Sequence, residues 1–413
     1  MPASQAIFIN FQTLYDLYES LLNSLLTTVG FELSTAWMAY TLAGISISFI
    51  VINTMVLSTA FYVWFERRMI GRFQVRRGPN RHGPFGLLQS FADVIKSIMK
   101  ENTMPDEADG PVFAIAPIVL LAPTLLIMSV IPFGVGETSF LGELNIGILF
   151  IVGVTSVNSI AIFMAGWGSR NKYAILGSMR GAAMLISYEI PMALGITSVL
   201  LISGSLAMTE IVAQQQIWFI VVMPLGFFVF MVASIAEMSR TPFDQIEAES
   251  ELGSGYNTEY SGIKFAILFL AEFMAPLITA AIVTTLFLGG SNGPDFLPGQ
   301  IWFILKSFTI IIILLWFRAT WPRLRIDQIM SFAWKGLFGL GVFNIFLIAI
   351  EYFIFTDFGQ DNLTRSDMLY MGAINWVLAI SILFILINMF GNKRLERPDP
   401  VPSPLANMNA EVD

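Results

Sequence analysis

The sequence predicts an all-helical polytopic membrane protein with about nine transmembrane helices, and two observations carry this prediction. First, 55% of the 413 residues are hydrophobic and 13% are charged, whereas a soluble domain carries roughly 25% charge. Second, apolar runs of the roughly 20 residues that a helix needs to cross a hydrocarbon core recur along the chain. The predicted spans are 37–64, 112–132, 146–166, 182–204, 217–236, 263–289, 301–318, 336–356 and 370–390.

The loops between these spans differ in positive charge. Of the 22 lysines and arginines, all but Lys306 and Arg365 lie in alternate loops or at the helix ends beside them. Because positively charged loops stay on the inner side of a membrane, this asymmetry predicts an outer N-terminus and an inner C-terminus. The predicted inner segments are 65–111, 167–181, 237–262, 319–335 and the tail from 391.

Three regions follow from this count. Residues 1–36 form an N-terminal extension, in which Leu14, Tyr18, Leu21 and Leu25 share a helical face and favour an interfacial helix. Residues 37–390 form the membrane domain. Residues 391–413 form a Pro-rich inner tail without a packed core of its own.

The first inner loop contains a basic segment, residues 66–101, with turn chemistry at 78–80 and 83–84. The apolar residues after the turn recur at helical spacing: Leu88, Phe91, Ile95 and Ile98. This spacing predicts an amphipathic helix at the membrane surface. A positively charged loop that only sets orientation is the alternative, although such a loop needs neither the turn nor the helix.

Several ionisable residues fall within the predicted spans. At 1.5 Å per residue, Glu189 would lie roughly 10 Å and Glu272 roughly 14 Å below the surface, with Glu237 at the inner end of the fifth span. Ionisable groups at membrane depth are costly and indicate function, and pairing that only fixes helix packing is the alternative for each. Near helix ends, Lys306 and Glu351 are expected to snorkel towards water.

The third inner loop is acidic. If residues 244–252 are helical, Asp244, Glu247 and Glu251 share one face. Carboxylates at such short distances repel one another, and this repulsion favours the binding of a proton by one of them. A solvated acidic loop is the alternative.

Composition also excludes several kinds of site. The chain has no cysteine and one histidine, which excludes disulfides and Cys-ligated iron–sulfur clusters and argues against a histidine metal site. It contains neither a Gly-rich phosphate loop nor a dinucleotide fingerprint. Proton or ion translocation and binding of a lipid-soluble substrate both remain open.

Four stretches distinguish these alternatives: ERRMIGRFQVRRGPNRHGPFGLLQSFADVIKSIMKE, SYEIP, AEMSRTPFDQIEAESELGSGYNTEYSG and WFRATWPRLRIDQIMSFAWK. In this order they closely resemble the quinone-chamber membrane subunit of respiratory complex I. This is the H subunit of bacterial NADH:quinone oxidoreductase, equivalent to mitochondrial subunit 1. The resemblance runs from about residue 40 to 355, and the chain departs from the shortest family members at both ends.

The resemblance implies a role within a large complex. Such a subunit docks the hydrophilic arm on the membrane arm and completes a quinone chamber with two partner subunits, one of which holds the terminal iron–sulfur cluster. Small and antiporter-like membrane subunits and lipids are further implied partners, and nucleic acid is not. Because the chain is long at both ends, the expected location is a bacterial cell membrane, with an organelle inner membrane as the alternative. Ubiquinone or menaquinone is the implied substrate, and no metal or flavin is bound by this chain.

The resemblance also implies two sets of functional residues. Those lining or bracing the quinone chamber are Glu66, Arg67, Arg76, Asp93, Lys96, Glu101 and Arg318. Those of the acidic loop and the proton path are Tyr188, Glu189, Glu237, Asp244, Glu247, Glu249, Glu251, Glu259 and Glu272. Quinone would enter near the first and sixth spans, and its reduction would change the protonation of Glu237, Glu189 and Glu272 in turn.

Two rival functions remain at this point. One is the membrane anchor of a related ferredoxin-driven or hydrogenase complex, which shares the general architecture. The more distant one is a stand-alone secondary transporter. Transporters of that kind often carry inverted repeats and paired broken helices, and the sequence shows neither.

Overall fold

A computed structural model describes residues 11–29, 36–134, 144–246, 249–294, 296–356 and 363–391, and this part of the chain contains helices and no strands. Its α-helices are α1 (Phe11–Val29), α2 (Ala36–Phe73), α3 (Gln89–Met99), α4 (Gly110–Val130), α5 (Gly147–Thr155), α6 (Val157–Gly168), α7 (Lys172–Ser203), α8 (Met208–Gln214), α9 (Phe219–Val222), α10 (Pro224–Glu237), α11 (Glu249–Leu252), α12 (Gly262–Phe287), α13 (Gly299–Thr320), α14 (Ile326–Ser331), α15 (Phe338–Phe355) and α16 (Arg365–Gly391). Short 3₁₀ turns lie at Pro84–Gly86 and Gly255–Asn257, and a π-helical segment joins α14 to α15 at Phe332–Leu337.

The predicted fold class, an all-helical polytopic membrane protein, is confirmed. Within the described residues, eight helical stretches are long and apolar enough to cross a membrane. They coincide with the first four and the last four predicted spans, with α5 and α6 together forming the third and α14 to α15 the eighth. The fifth predicted span coincides with α9 and the shorter apolar helix α10.

A proline breaks the fifth span. Met223 separates α9 from α10 with φ −132° and ψ 71°, and Pro224 is the first residue of α10. The proline ring crowds the backbone of the residue before it and moves that residue out of the helical region. Its missing N–H is tolerated in the first turn of the new helix. Pro224 could have predicted the break, but the apolar run around it is uninterrupted and favours one continuous span.

Three spans are much longer than predicted: the first, the fourth and the eighth, which begins at Ile326 instead of residue 336. Helix α2 continues past residue 64 to Phe73, because Glu66 is buried in its last part and paired there with Arg240. Helix α7 begins at Lys172, where the Asn171 side chain accepts a hydrogen bond from the Tyr173 N–H at 2.9 Å and caps the helix. The predicted start at 182 is wrong, so a depth for Glu189 counted from it does not apply.

The predicted helix after the basic turn is confirmed as α3. One face contacts the bundle, where the Ser90 hydroxyl donates to the Ala60 carbonyl at 2.9 Å. The predicted apolar face points away from the bundle, and all four of its residues are exposed: Leu88, Phe91, Ile95 and Ile98. In the turn before it, a Cβ on Gly86 (φ +79°) would lie 2.4 Å from the Pro79 carbonyl oxygen, so this position requires glycine.

The N-terminal extension contains the predicted helix, α1, which packs against α2. Its Leu14 contacts a small buried cluster formed by Ile47 and Val51 of α2. The Pro-rich tail, apart from Gly391 at the end of α16, lies outside the described residues.

Lys306 and Glu351 do not snorkel as expected, because both side chains are buried. The Lys306 ammonium donates to the carbonyls of Leu288, Gly290 and Asn292 at 2.7, 2.9 and 2.6 Å. These carbonyls follow the end of α12, where backbone acceptors lack intrahelical donors. The buried lysine therefore satisfies the backbone acceptors that follow α12.

The core centres on α7, which packs against α6, α10 and α15. Its approach to α10 is close, because a Cβ on Gly195 would lie 2.9 Å from Cβ of Phe230 and 3.2 Å from the Phe230 Cα. Gly153 on α5 is the contrasting case, since such a Cβ would have no atom of the described residues within 4 Å.

We expect Gly195→Ala to destabilise the detergent-solubilised protein by about 1–3 kcal/mol, the usual cost of overpacking. Gly153→Ala should be neutral or slightly stabilising, because alanine favours helix more than glycine does. Thermal unfolding of the two variants checks this expectation. Equal stability of the two variants would contradict the close packing of α7 on α10.

Candidate functional site

Four charged side chains meet in the bundle close to the basic segment, and we call them the ion cluster: Glu66, Arg240, Glu272 and Arg318. Arg240 lies between two carboxylates, with Nη1 3.4 Å from Oε1 of Glu66 and Nη2 3.2 Å from Oε1 of Glu272. Arg318 also contacts Oε1 of Glu66. Two carboxylates thus balance two guanidinium groups, which is how charges are tolerated in an apolar interior.

The four members of the ion cluster come from separate parts of the chain. Glu66 lies in the extended end of α2, Glu272 in α12, Arg318 near the end of α13, and Arg240 in the loop that follows α10. Glu66 is 2% exposed, Arg240 8% and Glu272 14%, whereas Arg318 is about one third exposed. The cluster therefore has a buried side and, at Arg318, a side open to the surface.

Aromatic rings hold Arg240 in place. Its guanidinium carbon lies 4.4 Å from the centroid of the Phe273 ring, which is a favourable cation–π distance. The Tyr62 ring in turn lies 6.2 Å from the Phe273 ring. These contacts fix Arg240 between α2 and α12 even though it lies on a loop.

Two small cavities, each of about 60 Å³, lie within the bundle, and the first reaches Glu272 of the ion cluster. Glu272 and Glu237 line the first, and Glu237 also lines the second. Both cavities are also lined by Thr124 and Asn158. The first cavity has room for about one or two waters and several polar groups around it, so Glu272 and Glu237 border one space that can take up water.

Glu189 and Tyr188 are neighbours on α7 but have different surroundings. Glu189 is half-buried and lies within electrostatic range of Glu237. Tyr188 is fully buried, and its hydroxyl donates to the Ile329 carbonyl at 2.9 Å. Tyr188 thus connects α7 to α14, whereas Glu189 extends the carboxylate series from Glu272 through Glu237.

The acidic loop does not form the predicted helix. Asp244 lies in an irregular stretch with turns, and within residues 244–252 the described helical part is Glu249–Leu252. Asp244 and Glu251 therefore do not share the predicted helical face. Glu247 and the side chain of Glu249 lie outside the described residues. Glu251 pairs instead with Arg180 of α7 at 2.7 Å, and this partly exposed arginine compensates its charge.

The end of the acidic loop packs tightly against α4. Glu259 accepts a hydrogen bond from the Asn171 amide at 2.5 Å. Tyr260 is buried with its ring stacked on Phe113, the ring centroids 4.0 Å apart. Burial raises the pKa of the Tyr260 phenol, so this tyrosine stays neutral over the physiological range.

The basic segment folds back onto α2 and forms a cleft of about 890 Å³. Arg67 pairs with Asp93 of α3 at 2.6 Å, and Lys96 lies 4.0 Å from the same carboxylate. Arg76 donates to the Gln74 side chain at 2.6 Å, and Glu101 is exposed beyond α3. The basic residues lining the cleft are Arg67, Arg76, Arg77, Arg81 and His82. A surface of this charge attracts anionic groups.

Residues 46–349 match the protein family described as NADH dehydrogenase. The chain belongs to this family. A relative from Dehalococcoides mccartyi (strain CBDB1), named as the H subunit of NADH-quinone oxidoreductase, is 51% identical over 308 residues, covering 75% of this chain and 86% of the relative. A Bacillus cytotoxicus relative of the same name is 46% identical over 290 residues, covering 69% and 86%.

The resemblance to the H subunit of complex I is thereby confirmed. The region matched by the NADH dehydrogenase family contains the whole ion cluster, both cavity carboxylates and Glu189. It ends before Glu351 and α16. Among the described residues, no group of three or more His, Asp or Glu side chains is placed to hold a metal ion.

Sequence reasoning anticipated part of this site. The resemblance implied Glu66 and Arg318 as residues of one chamber, and the structure brings them into contact. Sequence reasoning treated Arg240 only as a loop charge, and it missed Asn158 and Thr124. No spacing along the chain links Arg240 to Glu66 or Glu272, so only folding brings these residues together.

Removing the central charge of the ion cluster should cost much of the protein's stability. We expect Arg240→Met to destabilise the solubilised protein by about 3–5 kcal/mol, because it leaves Glu272 buried without a cationic partner. Adding Glu272→Gln to this variant should recover part of the loss. The measurement is the unfolding temperature of the single and double variants.

Arg180→Met is the matched control, because it breaks the ion pair with exposed Glu251. Exposed pairs contribute about 0–1 kcal/mol, so this variant should remain close to the unmodified protein. If Arg240→Met and Arg180→Met unfold at the same temperature, the ion cluster does not carry the stability assigned to it.

Proposed function

We propose that this chain is the membrane subunit of a proton-pumping NADH:quinone oxidoreductase, where it forms the quinone chamber with subunits of the hydrophilic arm. Its family and the names of its relatives support the assignment to that complex. The observation that supports the coupling role is the ion cluster, which joins Glu66 of the basic segment to Glu272 at the cavity shared with Glu237.

The quinone chamber lies, in this proposal, on the side of the basic segment. Helix α3 packs on both α2 and α12, which are the first and sixth predicted spans. It therefore covers the gap between these two helices, through which quinone enters from the lipid. The isoprenoid tail is held by apolar walls, while Glu66, Arg67 and Arg318 contribute charge near the polar head. Electrons arrive from an iron–sulfur cluster in a partner subunit, because this chain has no cysteine to ligate such a cluster.

Proton movement follows the reduction of quinone. Two electrons and two protons convert quinone to quinol, and the charge of the incoming electrons disturbs the balance of the ion cluster. Arg240 contacts both Glu66 and Glu272, so a change on the quinone side alters the environment of Glu272. A proton then passes between Glu272 and Glu237 through the shared cavity and on towards Glu189.

This order differs from the sequence-based one, which placed Glu189 between Glu237 and Glu272. The shared cavity supports Glu272 and Glu237 as direct neighbours, and the proximity of Glu189 to Glu237 supports Glu189 as the next group. From there, antiporter-like partner subunits receive the proton or its effect. The proposed location is the cell membrane of a bacterium.

Replacing the relay carboxylates should uncouple pumping from electron transfer. We expect Glu237→Gln and Glu189→Gln to lower quinone-coupled proton pumping several-fold, because an amide cannot accept and release the proton. NADH oxidation by an artificial acceptor should stay unchanged, because it bypasses the quinone chamber. Both rates are measured on the purified complex in liposomes.

Glu107→Gln removes an exposed carboxylate in the loop before α4 and serves as the control. It should keep full pumping. Pumping at the unmodified level in both relay variants would rule out the proposed path, and loss of the artificial-acceptor rate would point to failed assembly instead.

A further inference from the structure

A second buried polar group lies at the break of the fifth span, far from the ion cluster. Glu351 of α15 is 6% exposed and Asn375 of α16 is 3% exposed. The Asn375 amide donates to Oε2 of Glu351 at 2.8 Å and to the carbonyl of Val222, the last residue of α9, at 2.9 Å. Polar groups at membrane depth are costly and indicate function.

One face of α16 places Asn375 at this break. Met368, Met371, Gly372 and Asn375 recur at helical spacing, and the two methionines and Asn375 are buried. A Cβ on Gly372 would lie 2.9 Å from the Val221 carbonyl oxygen, so the helix backbone approaches α9 closely. Packing of the α16 backbone against α9 therefore fixes the position of the Asn375 amide.

The hydrogen bonds leave two oxygens without a partner among the described residues. Oε1 of Glu351 and Oδ1 of Asn375 are both buried and make no hydrogen bond there. Both N–H groups of the Asn375 amide are already used. Two acceptors cannot pair with each other, and an unsatisfied buried acceptor carries a desolvation cost. A single hydrogen between the two oxygens satisfies both.

Within the described part of the chain, no charge lies near Glu351 that would stabilise it as a carboxylate. The charged residues on the elements that pack near it are Lys172, Arg180, Glu189, Glu237, Lys335, Arg365 and Asp367. Counted along their own helices at 1.5 Å per residue, Lys335 lies roughly 24 Å from Glu351, and Asp367 and Arg365 lie roughly 12 and 15 Å from Asn375. None of the seven forms an ion pair with Glu351 among the described residues. An ionised carboxylate with one amide donor is expensive in such surroundings.

We propose that Glu351 and Asn375 form a proton-binding site at the break of the fifth span. Glu351 carries the proton on Oε1 and donates it to Oδ1 of Asn375, while the amide donates to Oε2, so the acid and the amide form a closed ring. Both residues lie outside the region matched by the family. The site is therefore separate from the ion cluster and depends on α16.

Infrared spectroscopy of the purified complex tests this proposal through the carbonyl-stretch band of protonated carboxyl groups, recorded in H₂O and in D₂O. Glu351→Gln should remove one such band. Asn375→Leu should shift that band upwards, to the position of an acid without an amide partner. Glu210→Gln, which replaces an exposed carboxylate on α8, should leave the spectrum unchanged.

Two outcomes overturn the proposal. If Glu351→Gln leaves every protonated-carboxyl band in place, Glu351 is ionised. If sodium or potassium chloride abolishes the band of the unmodified complex, the ligand is a monovalent cation and not a proton. Should Glu351→Gln fail to assemble, Asn375→Leu still decides the question, because an unshifted band contradicts the acid–amide ring.

Discussion

The structure depends on the rule that charges in an apolar bundle need partners. Glu66 would be costly at its depth in α2, and it is tolerated because Arg240 and Arg318 contact it. Arg240 also pairs with Glu272, so three helices and the loop after α10 are fixed by one set of charges. This pairing lets α2 continue as a helix beyond its apolar run and holds the acidic loop against the bundle.

The arrangement also joins two environments. On one side of the ion cluster lies the basic segment with its anion-attracting cleft, and on the other lies the cavity shared by Glu272 and Glu237. A guanidinium between two carboxylates responds to a change in charge on either one, because strengthening one contact weakens the other. In our proposal, this shared partner turns quinone chemistry in a neighbouring subunit into proton movement.

Much of the fold follows from the sequence, because apolar runs and alternating loop charge report burial in lipid directly. The pattern fails where another effect competes. Met223 and Pro224 break a span whose hydropathy is uninterrupted, and capping by Asn171 starts α7 ten residues before its predicted start at 182. In the site, the carboxylates are visible as charges within apolar runs, whereas Arg240 and Asn158 become functional candidates only through contacts across the fold.

The proton-to-electron ratio of an Arg240→Lys complex in liposomes tests the central claim most directly. Lysine keeps the positive charge, but its single ammonium cannot reproduce the forked contact of the guanidinium with both carboxylates. The account predicts that quinone reduction continues while fewer protons are pumped per electron. An unchanged ratio in a fully assembled complex would contradict the claim that Arg240 couples the quinone chamber to the carboxylate path.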